Sequence, residues 1–394
     1  MDINRKILEL GEAIYPEIVE IRHELHRHPE LSEKEFNTAE RVEKALSQWG
    51  IEYKRNPHGT AVIAYIKGKG EGKCVGLRGD MDALPIQELG NLPYKSEVDG
   101  VMHACGHDIH TASLLGTAYV LSQISDMFTG TVKLCFQPGE EKGRGYEELV
   151  EMGMLEDPPV DAYLAAHTCP DTPVGYIHVK EGPAMSASSQ FSVTFTGSGG
   201  HAATPHLCGD TIVALSKFVL EVQSIVSRRI NPIEPVVITV GKVQSGVRSN
   251  IMPKTAYIEG TIRTPKRETH TVVHEYMRQC IKSINLSTGT EGEISFIMGF
   301  DSIINDAELV EAFVNELRPL LGTDKVIKPG TLFLASDNFF RFTENAPSVY
   351  FRVGVRRPDD KTIFALHSPE FYAEDGALLT SILALSRGAV TFLK

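Results

Sequence analysis

The sequence has few of the features that mark secreted, membrane-bound or nucleic-acid-binding proteins. Only six of its 394 residues are cysteines, and their scattered positions argue against a disulfide framework. No apolar run approaches the roughly 18 residues of a membrane span. The first residues contain no apolar signal core. The formal net charge of -12 argues against nucleic acid as a partner. We therefore expect a cytoplasmic protein that binds neither membranes nor nucleic acids.

The length and composition indicate a globular protein with more than one core. A chain of 394 residues is too long for one ordinary core, and 42% of its residues are hydrophobic. The first fifty residues have the apolar spacing of two helices, and strands and helices then alternate to about residue 182. This alternation predicts an α/β fold class with a central mixed sheet flanked by helices. The glycine-rich residues 68–72 predict a hairpin loop between two of the strands.

The pattern changes near residue 187, which predicts a second domain. From there the expected order is strand, helix, strand, strand, helix and strand, at residues 191–195, 212–226, 236–240, 256–262, 270–284 and 293–298. This is the order of a ferredoxin-like module. We therefore expect an inserted α+β domain at residues 187–299, within a catalytic domain formed by residues 1–186 and 300–394.

Five short segments contain side chains of the types that bind divalent metals. They are Arg78-Gly-Asp-Met-Asp82, Ala104-Cys-Gly-His-Asp-Ile-His110, Gln137-Pro-Gly-Glu-Glu141, Ala165-Ala-His167 and Leu366-His-Ser-Pro369. Three of them follow predicted buried strands, and the carboxyl ends of strands in an open α/β sheet converge on one crevice. Thiolate, imidazole and carboxylate together suit zinc or manganese. Each segment alone is weak evidence, but together they predict one dinuclear hydrolase centre.

Several of these side chains have a purely structural explanation as well as a chemical one. Cys105 and His107 precede a predicted helix, whose N-terminus favours the thiolate and the neutral imidazole. The alternative is a buried thiol beside capping residues. Of Glu140 and Glu141, one can bind metal while the other accepts a proton from water. The alternative is a solvated acidic turn.

The remaining candidates in the five segments have the same two explanations. Asp82, or its neighbour Asp80, can accept the ring N–H of a ligating histidine, as carboxylates behind metal ligands commonly do. The alternative is a surface turn. His167 and His367 are either ligands or hydrogen-bonded structural histidines.

The predicted insert has a polar cluster of its own, Gly199-Gly-His-Ala-Ala-Thr-Pro-His206. His201 can donate a hydrogen bond to an oxyanion, and so can Asn250. Arg263 can hold a carboxylate through its planar guanidinium. The alternative is a polar loop with capping residues.

The motifs together resemble those of the aminoacylase and glutamate carboxypeptidase clan of co-catalytic metallopeptidases. Within that clan the chain is similar to the amidohydrolase branch, which holds hippurate hydrolases, N-acetyldiaminopimelate deacetylases and auxin–amino-acid conjugate hydrolases. The resemblance covers nearly the whole chain and is carried by Arg22-His-Glu-Leu-His-Arg-His-Pro-Glu-Leu31, Arg78-Gly-Asp-Met-Asp-Ala-Leu-Pro85, His103-Ala-Cys-Gly-His-Asp-Ile-His-Thr111, Phe136-Gln-Pro-Gly-Glu-Glu141, His201-Ala-Ala-Thr-Pro-His206 and His367-Ser-Pro369.

The resemblance implies a role for each candidate residue. It implies two divalent metal ions per subunit, with manganese common in this branch and zinc in the wider clan. The implied ligands are Cys105, His107, Glu141, His167 and His367. Glu140 would be the catalytic base, and Asp82 would support the site. His201 and Asn250 would line the substrate pocket from the inserted lid domain, which builds a homodimer in relatives.

The implied activity is hydrolysis of the amide bond of a small-molecule N-acyl amino acid to a carboxylate and a free amino acid. Glu140 would accept a proton from the attacking water and return it to the leaving amine, while His201 donates to the oxyanion. A metallo-dipeptidase or carboxypeptidase with the same machinery is an alternative, although the insert lacks the usual acid near Gln190. A non-catalytic binding protein is a second alternative, and the intact base and ligands argue against it.

Three segments depart from the pattern of the resemblance. Ser336-Asp-Asn-Phe339 stands where relatives usually have Ser-Glu-Asp-Phe. Ala187-Ser-Ser-Gln-Phe191 lacks the acid that relatives usually carry there, and Gly145-Tyr-Glu-Glu148 replaces a small, glycine-rich stretch. None of the three removes an implied ligand, so we expect them to affect substrate preference rather than hydrolysis.

Overall fold

The computed structural model of the protein describes residues 2–394, in which sixteen strands and nine α-helices are present. The helices are α1 (Ile3–Arg27), α2 (Phe36–Gln48), α3 (His107–Gln123), α4 (Tyr146–Glu151), α5 (Thr211–Arg228), α6 (Arg267–Thr288), α7 (Ala307–Leu321), α8 (Phe340–Thr343) and α9 (Gly376–Phe392). The strands are β1 (Glu52–Arg55), β2 (Val62–Lys67), β3 (Cys74–Asp80), β4 (Thr131–Gln137), β5 (Ala162–Pro173), β6 (Ile177–His178), β7 (Gly182–Met185), β8 (Ala187–Thr196), β9 (Gly200–His201), β10 (Val237–Ser245), β11 (Ile251–Met252), β12 (Thr255–Thr264), β13 (Glu291–Met298), β14 (Ile303–Asn305), β15 (Val326–Ile327) and β16 (Ser348–Arg356).

The chain divides into two compact units. The first contains the chain up to Ala184, together with Ile304–Thr331 and Asp337–Lys394. The second contains Met185–Ile303 and the short segment Leu332–Ser336. The chain therefore leaves the first unit once for a long insertion and once more for five residues.

The first unit is built on an eight-stranded mixed sheet of order β1-β2-β4-β3-β5-β16-β6-β15. Its centre, β4, β3, β5 and β16, is parallel, and these strands are buried along most of their length, as parallel strands covered on both faces must be. Asp80 and Gln137 are register partners at the carboxyl ends of β3 and β4. The segments that continue from these two strands therefore begin side by side.

The predicted hairpin at residues 68–72 is wrong. This loop joins β2 to β3, but β4 lies between them and pairs with both. Glycine content predicts where the chain turns, whereas the pairing of strands depends on which apolar faces are buried together.

Three helices of the first unit, α1, α3 and α9, contact one another, and α3 and α9 also contact β3. Nearly every residue of α3 and α9 is buried. A helix that is buried on all sides needs small and apolar residues around its whole circumference. This close packing fixes the start of α3, where two of the candidate ligands lie.

The second unit has the predicted ferredoxin-like arrangement. Its four-stranded antiparallel sheet has the order β10-β12-β8-β13, and α5 and α6 pack against it. Alternate residues of β8 are buried, so one face of the sheet supplies Phe191, Val193 and Phe195 to a core shared with Phe218 and Val222 of α5. Within residues 2–394, no helix combines the length and the apolar character needed to cross a membrane.

Candidate metal centre

The five candidate ligands of the first unit lie together. Cys105 Sγ is 3.6 Å from His167 Nε2. Glu141 Oε1 is 3.3 Å from His367 Nε2 and 3.9 Å from His107 Nε2. The potential ligand atoms form four overlapping groups: Cys105 with His107 and His167, Cys105 with Glu141 and His367, His107 with Glu140 and Glu141, and Asp80 with His107 and His110. Within each group these atoms lie within 4.8 Å of one another, and Cys105 belongs to the first two.

The backbone around Cys105 depends on a glycine. Gly106 precedes α3 with a φ of 84°, and a Cβ atom at this position would lie 2.5 Å from Thr168 Cγ2. This tight turn places Cys105 in the loop and His107 as the first residue of α3. The N–H of His367 donates to the carbonyl oxygen of Ala104 at 2.8 Å. That hydrogen bond joins the last ligand in the sequence to the loop of the first.

His167 is the candidate ligand on the buried strand β5. Burial lowers the pKa of His167 to about 3, so its imidazole is neutral. Its Nδ1 lies 2.9 Å from the carbonyl oxygen of Thr168, which fixes the proton on Nδ1. The Nε2 lone pair therefore faces Cys105, in the form that binds metals.

Asp82 contacts two of the candidate ligands, His107 and Glu141, through hydrogen bonds. One oxygen, Oδ1, lies 3.1 Å from His107 Nδ1. The other accepts the Ser32 hydroxyl at 2.6 Å and the backbone N–H of Glu141 at 3.0 Å. Burial acts to raise the pKa of Asp82, but the hydrogen bonds from His107, Ser32 and the Glu141 N–H outweigh it and lower the pKa. Asp82 thus orients His107 with Nε2 towards the other ligands.

His110 has both ring nitrogens engaged elsewhere. Its Nδ1 is 2.5 Å from Asp80 Oδ1, and its Nε2 accepts the backbone N–H of Thr168 at 3.0 Å. Asp80 in turn is 2.6 Å from Arg78 Nη1. Burial opposes the charge of Asp80, but Arg78, His107 and His110 hold the pKa of this carboxyl well below its usual range. Asp80 and His110 therefore form a buried polar support beside the ligands.

The two adjacent glutamates point in different directions. They begin a short 3-10 helix after Gly139, whose φ is 62°. Glu141 faces His367, whereas Glu140 Oε1 accepts the backbone N–H of Asn338 at 3.1 Å. Burial raises the pKa of Glu140 well above its usual range, and the charge of Asp337 raises it further against the opposing charge of Arg78. A buried carboxylate with a raised pKa is a good proton acceptor.

The donor set fits a divalent cation. Among the described residues, His107 Nε2 and Glu141 Oε1 are buried side-chain atoms without a hydrogen-bond partner. Burial raises the pKa of the Cys105 thiol well above its ordinary value, and the Glu141 carboxylate adds to this effect. A thiolate among these groups therefore needs a nearby positive charge, which a divalent cation would provide.

The sequence predicts that the N-terminus of α3 favours the thiolate of Cys105 and the neutral imidazole of His107. The structure instead favours the neutral thiol and the charged imidazole. Burial and Glu141 favour the neutral thiol of Cys105, which lies two residues before α3. Burial acts against the charged form of His107, but Asp80 and Cys105 outweigh it and raise its pKa well above the ordinary value. Burial of Cys105 and the charge of Asp80 near His107 outweigh the helix end, because its partial charge is small and acts only within about one turn.

Two of the three candidates of the second unit lie close together. His201 and Ile251 are register partners of β9 and β11, and the N–H of Ala202 donates to the carbonyl oxygen of Asn250 at 3.2 Å, so His201 and Asn250 lie close together. The Nδ1 atom of His201 accepts the N–H of Ala203 at 3.0 Å, which leaves the exposed Nε2 as the protonated donor. Arg263 lies on β12, where its Nη1 donates to the Ser336 hydroxyl at 2.7 Å.

The sequence alone did not reveal the residues behind Glu140. Asn338 contacts Glu140 through its backbone, which no side-chain pattern reports. Arg78 binds Asp337 through both terminal nitrogens, a contact between residues 259 positions apart. The departure of Ser336-Asp-Asn-Phe339 from the pattern of the resemblance marked this segment, but it did not indicate which residues Asp337 and Asn338 contact.

Comparison with known proteins identifies the family. Residues 76–387, which include every candidate ligand, match the model described as peptidase family M20/M25/M40. The chain belongs to this family. The resemblance found in the sequence motifs is thereby confirmed, and the protein is a metal-dependent hydrolase of the M20 type.

Two relatives and one solved structure illustrate the range of this M20 family. An N-acetylcysteine deacetylase of Bacillus subtilis is 36% identical over 386 residues, which cover 97% of this chain and 98% of the relative. Thermostable carboxypeptidase 1 of Saccharolobus solfataricus is 34% identical over 396 residues, covering 100% and 99% of the two chains. The crystal structure of a dinuclear metal-binding M20 peptidase of Bacillus subtilis superposes with a TM-score of 0.85 at 33% identity, covering 97% and 99%.

Proposed function

We propose that the protein hydrolyses N-acyl amino acids to a carboxylate and a free amino acid. The observation that carries this proposal is the separation of roles between Glu140 and Glu141. Glu141 shares a group with Cys105 and His367, while Glu140, which groups only with His107 and Glu141, is buried and held by the N–H of Asn338. A metal centre with one additional, fixed and basic carboxylate is the arrangement that amide hydrolysis requires.

We also propose that the centre holds two divalent ions, with manganese favoured and zinc possible as the native metal. One ion would be held by Cys105, His107 and His167, and the other by Cys105, Glu141 and His367. The support is that both groups share Cys105. When bound, such ions polarise a carbonyl oxygen and lower the pKa of water to about 7 in favourable cases.

The protein's own residues then perform the proton transfers. Glu140 accepts a proton from the attacking water on the oxygen that Asn338 does not bind. It then gives this proton to the leaving nitrogen, because a group that serves as base in one step can serve as acid in the next. His201 donates its Nε2 proton to the developing oxyanion, and Arg263 binds the carboxylate of the amino acid. Asn250, beside His201, lines the same pocket.

The named relatives support N-acyl amino acids as the substrate class. They leave one alternative, a peptidase with the same catalytic residues and metal ligands. One relative is an N-acetylcysteine deacetylase, and another is a carboxypeptidase. A peptidase that recognises a free amino terminus would need an acid in the second unit near Gln190, and the sequence there has serines instead. The acyl substrate is therefore our first choice.

The second unit is our candidate for a lid and a homodimer interface. Its β10 strand is an edge of the four-stranded sheet, and Val237 and Val243 on it are exposed. Leu220 on α5 and Ile297 on β13 are exposed as well. Unpaired edge strands with apolar side chains favour pairing with another chain. The six cysteines are all free, which agrees with the cytoplasmic location that we propose.

A substrate screen tests the proposal directly. Protein reconstituted with manganese would be assayed on N-acetyl, N-benzoyl and indole-acetyl amino acids, and on dipeptides with a free amino terminus. We expect turnover of at least one acyl class and little of the dipeptides. Glu140→Gln protein is the matched control for contaminating activity. Faster turnover of free dipeptides would favour the peptidase, and bound metal without any turnover would favour the binding protein.

A further inference from the structure

Arg78 and Asp337 form a buried ion pair behind the candidate base. The Arg78 side chain is fully buried, and its Nη1 and Nη2 donate to the two oxygens of Asp337 at 3.1 Å and 2.9 Å. The Tyr350 hydroxyl donates to Asp337 Oδ2 at 2.9 Å. Paired hydrogen bonds between a guanidinium and a carboxylate fix the orientation of both groups. The backbone N–H of Phe339 also donates to Asp337 Oδ1 at 2.8 Å, so three partners hold Asp337 in one position.

The neighbouring Asn338 extends this arrangement to the base. Its Oδ1 accepts hydrogen bonds from Arg78 Nη2 at 3.0 Å and Gln137 Nε2 at 2.9 Å, and its Nδ2 donates to the carbonyl oxygen of Arg144 at 2.9 Å. These contacts use both ends of the amide, which an aspartate at this position does not offer. They fix the backbone N–H of Asn338 that donates to Glu140 Oε1.

Arg78 lies near both Asp337 and Glu140. Its Nη2 donates to Oδ1 of Asn338 at 3.0 Å, and the N–H of Asn338 donates to Glu140 Oε1 at 3.1 Å. A buried guanidinium that loses a carboxylate partner is strongly destabilised and has a large incentive to pair with another. With Asp337 in place, two of its terminal N–H groups are already occupied.

We propose that Asp337 is a positioning residue for Glu140. By occupying the guanidinium of Arg78 it keeps Arg78 from pairing with Glu140, and it holds the N–H of Asn338 on Glu140 Oε1. A carboxylate oxygen of Glu140 lies within 4.8 Å of the ligand atoms of His107 and Glu141. This inference rests on the proposed function to the extent that Glu140 is the base.

The test compares Asp337→Asn with Asp337→Glu. The asparagine variant removes one of the two carboxylates that contact Arg78, the other being Asp80 at 2.6 Å, whereas the glutamate variant keeps both charges. We expect Asp337→Asn to lower kcat by about 10- to 100-fold, as loss of a residue supporting a metal-site group typically does. Its KM and its metal content should stay close to those of the wild type. Asp337→Glu should recover most of the lost kcat.

A crystal structure of the metal-loaded Asp337→Asn protein gives a readout that does not depend on turnover. We expect the Glu140 carboxylate to have left the Asn338 N–H and to contact Arg78. Glu316→Gln is the matched control, because Glu316 is the carboxylate partner of another buried arginine, Arg387, and contacts no candidate ligand. It should leave kcat and the position of Glu140 unchanged.

The outcomes separate this inference from the proposed function. If Glu140 stays on the Asn338 N–H in Asp337→Asn, or if kcat is unchanged, the positioning role is overturned. If no acyl substrate is turned over by the wild type but Glu140 moves in the variant, the positioning role stands and the proposed function fails. Should Asp337→Asn not fold, Tyr350→Phe removes one hydrogen bond to Asp337. A lower kcat at unchanged KM would then support the role, and an unchanged kcat would overturn it.

Discussion

The carboxylate of Glu35 accepts the backbone N–H of Gly139 at 2.8 Å, although the two residues are 104 positions apart. Glu35 is fully buried, and its second oxygen accepts the Thr60 hydroxyl at 2.9 Å. Gly139 directly precedes Glu140 and Glu141. A carboxylate at the start of α2 therefore holds the turn that carries both the candidate base and a candidate ligand.

The first prediction is that this turn depends on Glu35 as an acceptor. Glu35→Ala leaves the N–H of Gly139 without its partner and should lower kcat by about 10- to 100-fold, the usual effect of losing such support. Glu35→Gln keeps an amide oxygen for Gly139 and should retain most of the activity. Steady-state kinetics with metal analysis are the measurement. Equal losses in both variants would show that the charge, and not the acceptor, matters.

The second prediction is that Glu35 makes the stability of the protein depend on pH. Burial raises the pKa of Glu35 from its ordinary 4.5 to about 7, with the charge of Asp82 acting in the same direction. Between these pH values the folded protein holds a proton that the unfolded chain has lost. The contribution of protonated Glu35 to the free energy of unfolding is therefore complete below about pH 4.5 and is lost as the pH rises through 7.

Urea unfolding of wild type and Glu35→Gln across this range gives the measurement. The free energy of unfolding of the wild type should fall relative to the variant by up to about 1.4 kcal/mol per pH unit. Above the folded pKa the difference should become constant. A constant difference from pH 5 to 8 would mean that Glu35 does not titrate there.

The sequence predicted the fold because the relevant signals are local. Each strand of the parallel centre is a short apolar run, and the helices of the second unit show their apolar faces as a periodic pattern. The pairing of β2 with β4 was not predictable from the loop that leads to β3, since pairing is decided by residues far apart. The five residues 332–336, which join the second unit, carry no pattern of their own.

For the site, the sequence predicted which residue types lie together, but it did not predict the surroundings of each side chain. Cys105, His107 and Glu141 were identifiable because few other roles explain so many ligand types together. The protonation states of these three residues were not predictable, because they depend on burial and on carboxylates that only the fold brings near. The backbone N–H of Asn338 carries no sequence signal at all, and neither does the hydrogen bond of Glu35 to Gly139.

A third prediction follows from the position of Glu140 outside the two ligand groups that share Cys105. Glu140→Gln should bind metal as the wild type does and lose about 10²–10⁴ in kcat, the usual contribution of a general base. The loss will be larger if the same group also protonates the amine. Metal analysis and steady-state rates on one preparation decide the point. Near-normal turnover would remove Glu140 from the mechanism.

The fourth prediction separates Cys105 from the other thiols. Cys105→Ser should weaken metal binding and activity together, because burial and Glu141 leave the site in need of a compensating cation. Thiol oxidants should inactivate the metal-free protein faster than the metal-loaded protein. Cys208→Ser is the matched control, since Cys208 is the half-buried thiol of the second unit. Equal inactivation rates with and without metal would count against Cys105 as a ligand.

The last prediction concerns the donor in the second unit. The Nδ1 atom of His201 accepts the N–H of Ala203, so the proton on Nε2 is available to an oxyanion. His201→Ala should lower kcat by about 10²–10³, as loss of one oxyanion donor typically does, with normal metal content. His206→Ala, an exposed histidine of the same loop, is the control and should stay active. A fully active His201→Ala protein would contradict the proposal that the second unit donates a hydrogen bond to the oxyanion.

A mixing experiment then decides which subunit His201 serves. His201→Ala and Glu140→Gln proteins are each inactive in our proposal, and they are mixed under conditions that exchange subunits. If His201 acts across the dimer interface, a hybrid contains one site in which both residues are intact. Random exchange makes roughly half of the dimers hybrids, so about one quarter of the wild-type activity should return. If His201 acts within its own subunit, every site in a hybrid lacks one residue. An inactive mixture in which mass spectrometry shows hybrids therefore rules out donation between subunits.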